Sequence, residues 1–204
     1  KERNKPLTIL QDLQGPKIRV QNIPAEGIPL VDGKEVVFTT DEQSSYVHVD
    51  YPDLHVCAQP GERILMDDGL LEVEVVSVKG RDITCRVIHG GMLLPRKGVN
   101  LPGMKLMISS MTDKDREDLR FGIEQGVDWV ALSFVRSAQD IRELRQLIHQ
   151  YEEELGLPHE PPIRLMAKIE KAEAMECLEE IIAEVDGIMV ARGDLGIETA
   201  VEKV

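Results

Sequence analysis

The sequence predicts an α/β chain in which a parallel sheet of strand–helix units is interrupted, after its first strand, by a small all-β barrel. Two textures carry that reading. From Thr112 onward, short apolar runs alternate with capped amphipathic helices, the pattern of βα units. From about Val20 to Arg96, β-rich runs are separated by turn signals and no convincing amphipathic helix intervenes. The chain's 204 residues, 42% of them hydrophobic, are enough to build a core for both parts.

Leu7–Asp12 reads as a first strand ending at the Gly15-Pro16 turn. Short strands are expected in the β-rich part, among them Glu35–Thr39, Arg63–Met66, Leu70–Val78 and Ile83–Ile88. Asp32-Gly33, Pro60-Gly61, Asp68-Gly69, Gly80-Arg81 and Gly90-Gly91 are the turn signals around them. Thr112 to Asp115 is a capping box that opens a helix ending near Gly126. Trp129–Phe134 is the next strand, with Trp129 in the core. Ser137 to Asp140 caps a helix whose stripe is Ile141, Leu144, Leu147, Ile148 and Tyr151. A Pro-rich loop leads to a strand at Leu165. One helix, Lys171–Ala183, follows, with Met175, Leu178, Ile181 and Ile182 as its apolar positions. The series closes with strand Gly187–Ala191 and a helix beginning near Leu195. Four strands of this kind make about half of an eight-stranded (β/α) barrel, which takes about 250 residues.

Charge and composition exclude several classes of function. A formal net charge of −13 disfavours nonspecific binding to nucleic acid or anionic membranes. Aromatic residues at 3% leave little for base stacking. Cys57, Cys85 and Cys177 have no metal or disulfide spacing and read as free thiols of a reducing compartment, so a cytoplasmic protein is expected. No apolar run approaches the ~20 residues that cross a bilayer. KERNKPLTIL has no signal-peptide character and reads as the start of a piece cut from a longer protein. His48, His55, His89, His149 and His159 show no ligand or triad spacing.

Chemistry concentrates in RLMAKIEKAEAMECLEEIIAEVDGIMVARGDLGIE. Lys168 and Glu170 stand two apart in an apolar run, so a strand aims both to one side. Asp194 follows the next apolar run. Carboxyl ends of neighbouring parallel strands face a common site, which would gather one cation and two carboxylates. That set suits a divalent metal holding a phosphorylated anion. Taken alone, Lys168 and Glu170 also describe an ordinary strand ion pair, Asp12 a strand-end cap, Asp67-Asp68-Gly69 a hairpin turn, Lys97 a solvated loop lysine, and Arg19 and Arg136 solvated strand ends.

Several motifs in order along the chain resemble the pyruvate kinase family: Asp12 to Arg19 (DLQGPKIR), Asp67-Asp68-Gly69, Lys97 to Gly103 (KGVNLPG), Ser133 to Arg136 (SFVR), Lys168-Ile169-Glu170 and Met189 to Gly196 (MVARGDLG). The resemblance implies a partial TIM (β/α)8 barrel, residues 1–19 and 98–204, with residues 20–97 as an inserted β-barrel lid. It implies phosphoryl transfer from phosphoenolpyruvate to ADP, giving pyruvate and ATP at the last step of glycolysis. Glu170 and Asp194 match ligands of Mg²⁺ or Mn²⁺. Lys168 matches the residue that neutralises the phosphoryl group, and Gly193 and Asp194 match substrate-holding backbone. Arg19 and Lys97 match nucleotide-phosphate contacts, and Asp68 is placed on the nucleotide side. A homotetramer is implied for the intact enzyme.

Asp12, Leu13 and Lys17 occupy the monovalent-cation region. Family members that need K⁺ usually carry Thr at the position of Leu13 and Glu at that of Lys17. The combination here resembles the K⁺-independent branch, in which an ammonium supplies the charge of the bound ion. Segments carrying further substrate and effector contacts are not in this sequence, so the chain alone is expected to be inactive. Two other readings stand beside this one: a non-catalytic fragment that binds a partner, and a metal-dependent pyruvate aldolase or lyase on a related barrel. ATP formed from phosphoenolpyruvate and ADP, against pyruvate released by carbon–carbon cleavage, separates the two enzymes.

Overall fold

The computed structural model describes residues 7–199. In chain order its elements are β1 (Leu10–Leu13), β2 (Val20–Gln21), β3 (Ile28–Leu30), β4 (Glu35–Thr39), β5 (Val47–Val49), α1 (Leu54–Cys57), β6 (Arg63–Met66), β7 (Leu71–Lys79), β8 (Asp82–His89), β9 (Gly91–Leu93) and β10 (Val99–Asn100). They continue as α2 (Asp113–Gln125), β11 (Trp129–Leu132), α3 (Ala138–Leu155), β12 (Arg164–Ile169), α4 (Ala172–Glu176), α5 (Leu178–Glu184), β13 (Gly187–Val190) and α6 (Arg192–Glu198). Contacts divide them into two units. One joins the segment ending at Pro16 to Ser109–Leu195, and the other joins Lys17–Ile108 to the segment starting at Gly196.

In the first unit, four strands form a parallel sheet in the order β1-β11-β12-β13. Leu13 pairs with Leu132, Leu132 with Ala167, and Ile169 with Val190, so the carboxyl ends of all four lie side by side. Helices return the chain between parallel neighbours, as such a pairing requires. The core is aliphatic: Leu13, Val130, Leu132, Leu165, Ala167 and Ile169 from the sheet meet Leu119, Ile123, Ile141, Leu144 and Ile148 from α2 and α3. Both expected capping boxes form. Thr112 Oγ1 accepts from Asp115 N at 3.1 Å, while Asp115 Oδ2 accepts from Thr112 N at 2.8 Å. Asp140 Oδ2 accepts from Ser137 N at 2.9 Å. Both helices end at a left-handed glycine, Gly126 and Gly156.

The second unit is built on a seven-stranded sheet, β10-β6-β7-β8-β4-β5-β2, with β3 and β9 as a separate pair. Its two edges meet. Arg19 bridges Gly98 in antiparallel fashion, Val20 N donates to Lys97 O at 3.0 Å, and Val99 N donates to Ile18 O at 2.9 Å. The sheet therefore closes on itself around Phe38, Ile64, Met66, Val73, Val75 and Ile83. Closure removes the exposed edges of an open sheet.

Several expectations are corrected. The first strand is Leu10–Leu13 rather than Leu7–Asp12. Five short strands, β2, β3, β5, β9 and β10, stand beside the four named from the sequence; two or three residues carry no readable alternation. The one-turn helix α1 also lies in the β-rich part. The single helix Lys171–Ala183 is two, broken at Cys177, whose φ of −124° and ψ of 30° leave the helical region. Only Ile181 of its outer stripe is fully buried; Met175 and Ile182 are exposed. The last helix begins at Arg192, not near Leu195. Trp129 is half-buried, with the Arg164 guanidinium 5.5 Å from its ring centroid. No helix among the described residues is long and apolar enough to cross a membrane.

Candidate active site

The carboxyl edge of the parallel sheet positions the site. Continuing the β11–β12 register one residue past Leu132 and Ala167 puts Ser133 beside Lys168. Lys168 alternates outward between buried Ala167 and Ile169, and Glu170 leaves the strand one residue later. Lys168 Nζ lies 3.0 Å from Glu170 Oε1, 2.9 Å from Ser133 Oγ and 3.3 Å from the Asp12 carboxylate. An ammonium has three protons, and here each has an acceptor. Phe134 N donates to the other oxygen of Glu170, Oε2, at 3.1 Å. Ser133 Oγ stands 3.5 Å from Asp12 Oδ1.

Burial decides how these charges behave. Glu170 is 4% exposed, so its ionised form needs a partner, and Lys168 with the Phe134 N–H provides it. Burial by itself pulls the Lys168 ammonium toward the neutral form. The hydrogen bond and charge of Glu170, then those of Asp12, outweigh that pull and hold its pKa above the usual lysine value. Lys168 therefore carries its positive charge at neutral pH.

Asp194 stands in the first turn of α6, on the connection that follows β13, the strand next to β12. Its carboxylate is exposed and has no hydrogen bond or ion pair among the described residues. Gly193 before it is exposed, and among the described residues a Cβ there would meet no atom within 4 Å beyond its own helix backbone and chain neighbours. Glu170 and Asp194 are hard oxygen donors, the ligand type that Mg²⁺ and Mn²⁺ prefer. No cluster of three or more His, Cys, Asp or Glu able to hold a metal occurs among the described residues. Two carboxylates from the chain, with water and substrate oxygens, remain a suitable set for Mg²⁺. Of the residues assigned to the monovalent-cation region, Asp12 turns to Lys168, Leu13 is a core residue at 1% exposure, and Lys17 is exposed without a partner among the described residues.

The remaining candidates belong to the closed β-barrel. Arg19 and Lys97 flank its seam, brought together by the Arg19–Gly98 bridge. Arg19 Nη1 donates to Arg96 O at 3.0 Å, and its backbone N donates to Asp50 Oδ1 at 2.5 Å. Lys97 Nζ pairs with Asp67 Oδ1 at 2.6 Å. Asp67, Asp68 and Gly69 are all left-handed, at φ 54°, 56° and 84°, and form the tight β6–β7 turn. Asp68 is exposed there, and it is Asp67, not Asp68, that faces a cation.

Sequence reasoning quoted Ser133, Phe134 and Asp67 within motifs but gave none of them a role, and it missed the Asp12–Lys168 contact. Serine and phenylalanine carry no signal of their own; only the strand register puts the hydroxyl beside an ammonium. The Asp-Asp-Gly turn signal did locate Asp67, but not its partner thirty residues away in sequence.

The profile described as pyruvate kinase, barrel domain, matches residues 1–204. Pyruvate kinase 2 of Synechocystis sp. is 46% identical over the whole of this chain, which covers 34% of that protein. The pyruvate kinases of Clostridium perfringens and Geobacillus stearothermophilus are 39% and 40% identical, again over the whole chain, which covers 42% and 34% of them. The chain thus spans about two fifths or less of the length of these relatives.

Proposed function

The chain belongs to the pyruvate kinase family, and from that premise we propose that the protein it forms transfers the phosphoryl group of phosphoenolpyruvate to ADP, yielding pyruvate and ATP. One observation supports the assignment above others. A charged lysine, Lys168, is fixed against a buried carboxylate, Glu170, at the carboxyl end of a parallel strand, while Asp194 on the next connection has no partner for its carboxylate among the described residues. Phosphoryl transfer asks a protein for positioning and charge neutralisation rather than covalent help.

The roles follow from the chemistry of each group. Lys168 is a point cation on a flexible stem, suited to a phosphoryl group that moves between two oxygens. Glu170 and Asp194 would hold Mg²⁺ or Mn²⁺. When bound, that ion supplies charge to offset the substrate's carboxylate and phosphate. Gly193, with nothing where a Cβ would project, lets an anion approach the backbone closely. Arg19 and Lys97 are the cations for the nucleotide phosphates, with Asp68 on the same side; Lys97 would have to exchange Asp67 for phosphate. Lys17 in place of a family glutamate makes K⁺ dispensable. Residues 20–97 act as the lid, and the rest as part of the barrel. A cytoplasmic homotetramer is the expected assembly of the whole protein.

The test is ATP formation from phosphoenolpyruvate and ADP by the full-length protein, with Mg²⁺ and after its removal by EDTA. Lys168→Met is expected to lower kcat by about 10³-fold or more, in the range that loss of a transition-state cation costs in phosphoryl transfer. Wild-type protein that makes no ATP, or that releases pyruvate by carbon–carbon cleavage, would reject the assignment.

A further inference from the structure

We propose that the Ser133–Phe134 turn is the positioning device of this site: the Ser133 hydroxyl fixes the Lys168 ammonium, and the Phe134 N–H fixes the Glu170 carboxylate. The inference rests on the phosphotransferase reading above and deepens it.

Three acceptors surround Lys168, and they are not equivalent. Asp12 and Glu170 carry charge, and carboxylates exchange partners when cations or phosphates arrive. Ser133 is neutral and 2% exposed, and its oxygen lies 2.9 Å from Nζ. It contributes direction without adding charge. With its acceptor side given to Lys168, its own O–H is left for Asp12 Oδ1 at 3.5 Å. The hydroxyl therefore links the ends of β1 and β12 from the strand between them.

One residue later the backbone turns left-handed. Phe134 has φ +56°, a conformation that a bulky side chain adopts only under constraint. Within this turn N–H 134 points at Glu170 Oε2, 3.1 Å away, and Ser133 faces Lys168. The turn's neighbours are fitted to it. A Cβ on Gly15 would lie 2.8 Å from Phe134 Cδ2, so a larger residue there would push on the ring, while Ser133 Cβ at 3.4 Å would be in ordinary contact. The Lys171 ammonium sits 5.2 Å from the centroid of the Phe134 ring. Left-handed, non-glycine residues kept by their surroundings recur at functional sites, and this one orients a carboxylate of the proposed metal site.

Full-length Ser133→Ala and Ser133→Cys are compared with wild type in ATP synthesis from phosphoenolpyruvate and ADP. Mn²⁺ affinity is read independently by electron paramagnetic resonance for wild type, Phe134→Val and Phe134→Gly. Cysteine fills the space of serine but is a poor acceptor, whereas a β-branched residue resists positive φ and glycine accepts it. The expected result is a loss of tenfold or more in kcat in both Ser133 variants. KM for phosphoenolpyruvate should stay within threefold of wild type. Phe134→Val should bind Mn²⁺ at least tenfold more weakly, and Phe134→Gly within threefold of wild type. A kcat at the wild-type level in the Ser133→Cys variant would make the role one of packing and overturn the proposal. So would unchanged kcat in Ser133→Ala, or a tenfold loss of Mn²⁺ affinity in a folded Phe134→Gly protein, which does not depend on Phe134→Val folding. If wild type makes no ATP, the phosphotransferase reading falls, while the Mn²⁺ series still decides the Phe134 half.

Discussion

At the scale of single residues, burial sorts groups that look alike in the sequence. The three cysteines are all free thiols, as their spacing suggested. Cys85 is fully buried in the β-barrel core, and burial pushes its pKa up from 9.0 to about 12. Burial, followed by the charges of Glu180, Asp140 and Glu176, also raises the Cys177 thiol. In native protein at pH 8, iodoacetamide is expected to leave Cys85 unmodified, and to label it only after denaturation; mass spectrometry of the digested protein checks this. The same shift has a stability sign. A thiol that ionises at pH 9 unfolded and near 12 folded contributes stability fully present below pH 9 and lost as pH rises toward 12. Urea midpoints of wild type should therefore fall between pH 9 and 10.5, and fall less in Cys85→Ala. At the candidate active site, residue types alone made Lys168 and Glu170 legible, because both break an apolar run at the spacing of one strand face. Ser133 was not legible, because its importance comes from what the register sets beside it.

At the scale of elements, capping chemistry was the most readable signal. Thr112 and Ser137 start α2 and α3 as expected, because a hydroxyl or carboxylate satisfies helix-end N–H groups locally, with no tertiary help. Asp115 does more than cap. At 1% exposure, its Oδ1 also accepts from Gly15 N at 3.2 Å, tying the start of α2 to the turn that ends β1 beside Asp12. Asp115→Ala removes the carboxylate half of the capping box and strands a buried N–H, so a loss of about 2–3 kcal/mol is expected in urea unfolding. A loss near zero would show that the two elements are held by packing alone. Where an element depends on distant partners, the sequence misled. The run Lys171–Ala183 is helical throughout by propensity. The break at Cys177 accompanies an S–H···O contact to Arg136 O at 3.1 Å, forty-one residues away, which no local pattern encodes.

At the scale of the whole molecule, the chain combines a four-stranded parallel sheet with a closed, mostly antiparallel barrel, each with its own hydrophobic core. With Lys17 and Leu13 in place of the residues of K⁺-requiring members, the full-length protein should keep at least half its rate when Na⁺ or tetramethylammonium replaces K⁺. A loss of tenfold or more in a coupled assay would reject the substitution of an ammonium for the ion. The sequence by itself determined the alternation of strands and helices, the inserted β-rich segment, the helix caps, and the Lys168–Glu170 pair. All of these depend on periodicity or on contacts a few residues long. Only the tertiary structure decided that the β-rich strands close through Arg19 and Gly98, that Lys97 pairs with Asp67, and that Ser133, Phe134 and Asp12 surround the lysine and its carboxylate. Those contacts join residues far apart along the chain, and their geometry is set by sheet register and core packing, which no local stretch of sequence specifies.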